Sequence, residues 1–299
     1  MRRILCGTLL VTVISALQLP MARTAMGTFP GQNAEIAFAA GGDIWVVDPD
    51  GSDLVPLLAS PLTDRHPAWS PDGTTLAFTR IRRNGNADIY LADAFGGNVR
   101  PFSASRNDDV KPAWSPNGDA IVFVRRYSSQ ERGSDLVARS LDGEVHHRIT
   151  RSRSVQGPPV WTDGYVAWVD DRFNEVCASP LSDLNDDIRV CRVIGYAHRH
   201  TSLSFAPASR RLAFGAWIDS GEFDIVVATF GDDDNLTKGD GYRVDHSPTW
   251  SPDGTQIAFV GQQGGESVLA LMSATGTNVH EILTSADVEG IGWPAWRSA

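Results

Sequence analysis

The sequence predicts an all-β fold, a six-bladed β-propeller of four-stranded antiparallel blades. Three observations carry this expectation: a twelve-residue phrase that returns along the chain, the even spacing of its aromatic anchor, and two chain ends that complete each other. The phrase is "PAWSPDGTTLAF" at 67–78, and it recurs as "PAWSPNGDAIVF" at 112–123 and "PTWSPDGTQIAF" at 248–259. Weaker copies fall between and after these. "PPVWTDGYVAWV" (158–169) has a shortened turn, "SLSFAPASRRLAF" (202–214) has phenylalanine at the aromatic position, and "WPAWRSA" ends the chain. The anchors are Trp69, Trp114, Trp161, Phe205, Trp250 and Trp296, separated by 45, 47, 44, 45 and 46 residues. A period of that length with four short strands per unit is the mark of a propeller blade.

Each unit reads in order. "PAW" begins strand one. "SPDG" is a tight turn, in which proline presets the first turn dihedral, aspartate caps it and glycine accepts positive φ. "TTLAFTR" is strand two, "DIYLAD" strand three and "VRPFS" strand four, separated by a polar loop and by "AFGG". Beyond the leader no segment holds a helical period. "EIAFAA", "DIWVVD" and "LVPLL" supply strands two, three and four near the N-terminus, and "GWPAWRSA" supplies a strand one at the C-terminus. Together they make a sixth blade, close the ring and hide edge strands that would otherwise pair with neighbours.

Residues 1–27 stand apart. A basic "MRR", the apolar run "ILCGTLLVTVISAL" and the small residues of "ARTAMG" give the layout of a signal peptide cut after Gly27, with an uncleaved anchor as the other reading. The expected product is an exported, periplasmic or extracellular single domain over 28–299, a monomer with no further membrane span. The formal charge is −10, and loss of the leader removes three arginines and no acid. Nucleic acid and anionic membranes are therefore excluded as partners, since both are bound through Lys and Arg. Two cysteines remain, Cys177 and Cys191. An even pair in an exported chain points to a disulfide worth on the order of 3 kcal/mol, with two buried thiols as the alternative.

The motif P-x-W-S-P-[DN]-G-x-x-[IL]-x-F resembles the β-propeller repeat of the TolB family. The resemblance covers about residues 33–299 and implies a six-bladed propeller, without the α/β domain that precedes the propeller in TolB. Blades four and five depart from the motif at Asp163–Gly164 and at 206–209.

Motifs for catalysis are absent: no nucleophile elbow, no H-E-x-x-H, no phosphate loop and no dinucleotide fingerprint. "DDDN" (232–235) and "DLNDD" (183–187) have the composition of calcium loops without the ligand spacing, and both read as strand-three to strand-four turns. No cofactor is expected. The informative positions lie three to five residues before each anchor, where strand one enters the central channel. They give the candidate binding residues Asp64, Arg65, His66, Asp109, Lys111, His200, Asp245, His246 and Trp293. The five anchor tryptophans read as inter-blade core, as do Trp45, Trp168 and Trp217, and His146–His147 as a solvated pair on the outer edge. The expected function is a non-enzymatic module that binds a protein or peptide through the funnel. The alternative is a metal-assisted lyase or hydrolase on carbohydrate, using His66, His200 and His246 as axial ligands.

Overall fold

The computed structural model describes residues 30–299 except 128–132, 145, 152, 156, 163, 171–174, 181–189, 194–201, 208, 210, 218–221, 229–232 and 239–243. The leader, His200 and the 183–187 segment lie outside the described residues. No helix among the described residues is long and apolar enough to cross a membrane.

The described chain is built from strands. The first blade orders its strands β24-β1-β2-β3, with β1 (Asn33–Ala40), β2 (Asp43–Val47) and β3 (Val55–Leu58) joined by β24 (Gly292–Ser298) from the other end of the chain. That pairing is antiparallel and sets Trp296 opposite Ile36. The second blade is β4 (Thr63–Trp69), β5 (Thr75–Ile81), β6 (Ala87–Asp93) and β7 (Arg100–Pro101). The third is β8 (Asp108–Trp114), β9 (Ala120–Arg126), β10 (Ser134–Ser140) and β11 (His146–Arg148). The fourth is β12 (Val160–Trp161), β13 (Tyr165–Asp170), β14 (Glu175–Pro180) and β15 (Val190–Val193).

Where the sequence predicts six separate blades, four sheets stand alone. The remaining strands form one eight-stranded sheet: β16 (Leu203–Phe205), β17 (Leu212–Trp217), β18 (Phe223–Ala228) and β19 (Asp233–Asn235), then β20 (Val244–Trp250), β21 (Gln256–Gln263), β22 (Glu266–Ser273) and β23 (His280–Thr284). A single parallel pair, Phe223 with Val244, joins β18 to β20 and merges the two antiparallel runs. Asp233–Asn235 is thus a strand paired with β18, not the turn that "DDDN" suggests.

The turn residues do what their chemistry demands. In the second blade Ser70 N–H donates to Thr75 O, Gly73 N–H donates back to Ser70 O, and Asp72 Oδ1 accepts from the Thr74 amide and hydroxyl. Gly73, Gly118 and Gly254 hold φ of 66°, 75° and 72° at this turn in three blades, a region that costs L side chains dearly.

Buried apolar side chains fall into six clusters, five drawn from two successive repeat units and one that joins the third and fourth blades and also takes in Ala87 of the second. Trp69 packs with Ile44 of the first blade and Phe78 of the second, and Trp296 with Phe38 and with Val260 of β21. The five anchor tryptophans are buried, Trp250 completely, and Trp168 is buried too. Trp217 corrects the expectation: it ends β17 and is 43% exposed, because the strand runs out of the core there.

Candidate functional site

The anchor-bearing strands come together around one space. A cavity of about 120 Å³ is lined from all six repeats by the residues at and just before the anchors. Two residues before the anchor, the wall carries Pro67, Pro112, Pro159, Leu203, Pro248 and Pro294. Proline has no N–H, so it is suited to the unpaired edge of an innermost strand.

One residue earlier the backbone turns left-handed. His66, Lys111, Ser247 and Trp293 have φ of 53°, 58°, 55° and 51°. In β4, β8 and β20 the ladder register shifts across this point, between Arg65 and Ala68, Val110 and Ala113, and His246 and Thr249. This is a bulge repeated from blade to blade, a device that re-aims a side chain at the cost of local pairing. His66, Lys111 and Trp293 line the cavity from these bulges, together with Pro158 and Ser202 at the equivalent positions of the fourth and fifth repeats.

A second pocket of about 430 Å³ adjoins it. Trp217, Phe223, His246, Gln262, Ile291 and Trp293 are among its walls, and Trp293 lines both spaces. His246 Nδ1 lies 2.9 Å from Ser247 Oγ and its Nε2 3.5 Å from the Gln262 amide nitrogen.

The candidate residues divide into frame and mouth. Asp64 and Asp109 are fully buried. Each is gripped by an arginine directly opposite on strand two. Arg80 donates Nε and Nη2 to Asp64 at 2.7 and 2.6 Å, and Arg125 does the same to Asp109 at 2.7 and 2.9 Å. Bidentate pairs of this kind are among the stronger hydrogen bonds. Burial pushes the Asp64 carboxyl up, and the Arg80 guanidinium opposes it. Asp245 is equally buried, but Gly261 stands opposite it where an arginine would be.

His66, Arg65, Lys111 and Trp293 form the mouth. The His66 and Trp293 rings lie 4.4 Å apart, centroid to centroid, and Arg65 sits over the same indole at 6.0 Å. His66 Nδ1 is 3.2 Å from Thr79 Oγ1, and that hydroxyl also accepts the Lys111 amide at 3.0 Å, tying the second blade to the third. Burial, with the positive charges of Lys111, Arg126 and Arg65, holds the His66 imidazole well below its usual value, so it is neutral near pH 7. Lys111 is 6% exposed, and burial followed by the Arg126 charge pulls its ammonium down to about 8.

Sequence reasoning missed Arg126, Trp217 and Gln262. All three stand twelve residues after an anchor. An antiparallel strand two must return to the rim where strand one began, so Asp108 faces Arg126 and Val244 faces Gln262. It also missed the aspartates that open strand three. Asp88 Oδ1 accepts the Ser105 amide, Asp135 Oδ1 accepts the Arg153 amide, and Asp224 Oδ2 accepts from Asn235, which fastens strand four and its exit loop. Among the described residues no group of three or more His, Cys, Asp or Glu side chains is placed to hold a metal. His146 is exposed at the outer strand, as expected, near Arg125.

Fold and channel define the class: a β-propeller with antiparallel four-stranded blades. Residues 30–172, just under half of the chain, match the family model described as the TolB beta propeller domain. The TolB structure from Acinetobacter baumannii superposes on 91% of this chain and 68% of its own, with a TM-score of 0.74 at 18% identity. A chain of the nidogen/laminin complex aligns with 88% of this chain and 98% of its own (TM-score 0.67, 14% identity). Hydrazine synthase of Kuenenia stuttgartiensis aligns with 91% of this chain and 47% of its own (TM-score 0.67, 14% identity). No curated protein sequence matches. At such identities the likeness establishes the propeller fold alone.

Proposed function

We propose that this chain is an exported, TolB-like propeller that binds a protein or peptide through the mouth of its channel, without catalysis. The observation that carries this reading is the contrast along strand one. The proline and anchor positions largely repeat, whereas the position three before the anchor changes from histidine to lysine, proline, serine and tryptophan around a single cavity. A frame that repeats around a rim that does not is what a binding surface grafted on a fold requires.

The same proposal counts six blades. The eight-stranded sheet contains two antiparallel four-strand units, five of the six apolar clusters span two successive units, and β24 pairs with β1. Those pairings support closure into a six-membered ring, which we read as a monomer. Export rests on the leader at 1–27, with the periplasm or the outside medium as destination. For the cysteines, the support is register: Cys177 on β14 stands directly opposite Cys191 on β15, and a disulfide there clamps the blade's outer hairpin.

The test is capture from an envelope or secreted fraction with purified protein, wild type against Arg65→Ala, His66→Ala, Lys111→Ala, His246→Ala and Trp293→Ala. A specific partner that these variants lose while their thermal melts stay sharp supports the reading. If folded variants at all five positions keep every partner, the channel mouth is not the binding face. Metal analysis of the same sample tests the lyase or hydrolase alternative, which a stoichiometric metal would favour.

A further inference from the structure

Resting on that reading of the mouth, we infer that the partner presents a proline-rich segment in the polyproline II conformation, seated in the larger pocket against Trp217 and Trp293. Three observations carry it.

The first is where the indoles stand. Trp217 is 43% exposed at the end of β17, and Trp293 lines both the 430 Å³ and the 120 Å³ spaces. A lone exposed apolar side chain needs no explanation. Two indoles on one concave wall, with the buried ring of Phe223 in the same wall, make a surface on which flat apolar rings can pack. The backbone at Trp293 is left-handed, with φ 51°, and a Cβ added to Gly292 beside it would meet nothing within 4 Å. Space is therefore left open next to the ring, in a pocket whose volume falls within the range of small-ligand sites.

The second is the hydrogen-bonding character of the wall. Indole N–H groups donate and cannot accept. Among the described residues neither Trp217 nor Trp293 gives its N–H to a protein acceptor, and the Ser267 hydroxyl, in the same wall, is likewise unengaged. Gln262 adds an amide, 3.5 Å from His246 Nε2. The described polar groups thus lean towards donation. A proline-rich chain is the complement, since its carbonyls accept and its prolines have no N–H to place. A saccharide brings hydroxyls that donate as well as accept, and this wall has fewer partners for them.

The third is the neighbouring channel wall. Prolines two residues before the anchors interrupt the inner-strand edges, so a partner that adds a strand there is disfavoured. Polyproline II needs no such ladder. Its backbone is complete without internal hydrogen bonds, it repeats every third residue on one face, and it docks on aromatic-lined grooves. Already extended, it also loses little conformational freedom on binding.

Octaproline capped at both ends, a capped Gly-Ser octapeptide and cellohexaose are the probes, with binding to the mature chain measured by calorimetry or ligand-observed NMR. Octaproline should bind at least tenfold tighter than the Gly-Ser peptide. Trp217→Ala should remove that preference. Trp217→Phe, which keeps a flat face and loses the N–H, should keep part of it, and thermal melts establish that both variants are folded. Equal binding of the two peptides, a preference that survives Trp217→Ala, or no binding of octaproline at millimolar concentration overturns the proposal. Tighter, Trp217-dependent binding of cellohexaose overturns it in favour of a saccharide site. Partner capture that the mouth variants abolish, with no preference for octaproline, sinks this inference and leaves the binding reading standing. Capture untouched by those variants sinks the reading itself.

Discussion

Replacing Asp64 with asparagine should weaken the fold rather than the ligand site, and the size of the effect can be worked from the Asp64–Arg80 pair. The carboxylate is fully buried and the guanidinium side chain 11% exposed. Arg80 is further held over Phe78 and Tyr90, at 5.1 and 5.2 Å from their centroids, so it cannot swing to water without giving up both rings. Removing one partner of a buried ion pair costs about 3–5 kcal/mol. Asparagine retains one acceptor oxygen and Arg80 keeps some solvent, which places Asp64→Asn at the lower end, about 3 kcal/mol. For a chain of this length that is a fall in Tm of roughly 6–12 °C. Arg82→Ala provides the internal comparison. Its partner Asp88 keeps the Ser105 amide, and the Arg82 side chain is 36% exposed, so the loss should stay below about 1 kcal/mol. Urea unfolding followed by tryptophan fluorescence reads both, as a shift of midpoint at unchanged slope. The double change Asp64→Leu with Arg80→Met should recover much of the loss. If Asp64→Asn is as stable as wild type yet loses a ligand, Asp64 belongs to the site and its assignment to the frame is wrong.

Trp250→Ala, at a fully buried anchor whose ring also carries Arg211 at 4.9 Å, should cost about 3–5 kcal/mol in the same unfolding assay. Gly73→Ala combines a φ of 66° with a Cβ that would lie 2.1 Å from Ser298 O, so it should destabilise by more than about 1 kcal/mol and loosen β24, measurable as faster amide exchange at 292–298. Gly41→Ala, at φ 61° with open space around the added carbon, bears the backbone cost alone and should lose less. The mouth should also leave a pH signature. Because the Lys111 ammonium sits at about 8 in the fold, the unfolded chain binds its proton more tightly, and stability relative to Lys111→Met should rise between about pH 8 and 10.5, by at most about 3 kcal/mol. Beside burial, the positive charge of Arg126 acts on this lysine. His66 is depressed as well, so its contribution is present above about pH 6.5 and is lost as pH falls below it. Histidine NMR should accordingly show the His66 ring still neutral well below the usual histidine midpoint.

The frame was readable because its parts are local. A tight turn needs proline, aspartate and glycine in order, and an indole needs a buried place, so "PAWSPDG" announces itself wherever it stands. The Asp64–Arg80 and Asp109–Arg125 grips were legible in principle, since both arginines lie eleven residues after an anchor and both aspartates five before. Reading the polar residues before each anchor as one funnel hid this, because only cross-strand register separates Asp64, turned into the blade, from His66, turned into the channel. Trp217 reads as core from its place on a strand, although the same count that places Arg126 on the rim places Trp217 there. The joining of β18 to β20 was not legible at all. It depends on one pair, Phe223 with Val244, whose approach is set by tertiary packing and by no pattern in either segment.

The prolines of the inner strands decide how a visitor to the channel can be recognised. A strand edge interrupted by proline lacks an amide donor at that point and is a poorer template for an incoming chain to extend, so main-chain recognition of a peptide is disfavoured along that wall. Recognition is left to the side chains at the bulges, each fixed on its own blade and each replaceable without disturbing the tryptophan three residues on. Such a channel works like a lock with independent tumblers: the setting at one blade can change while the barrel that holds the others stays the same.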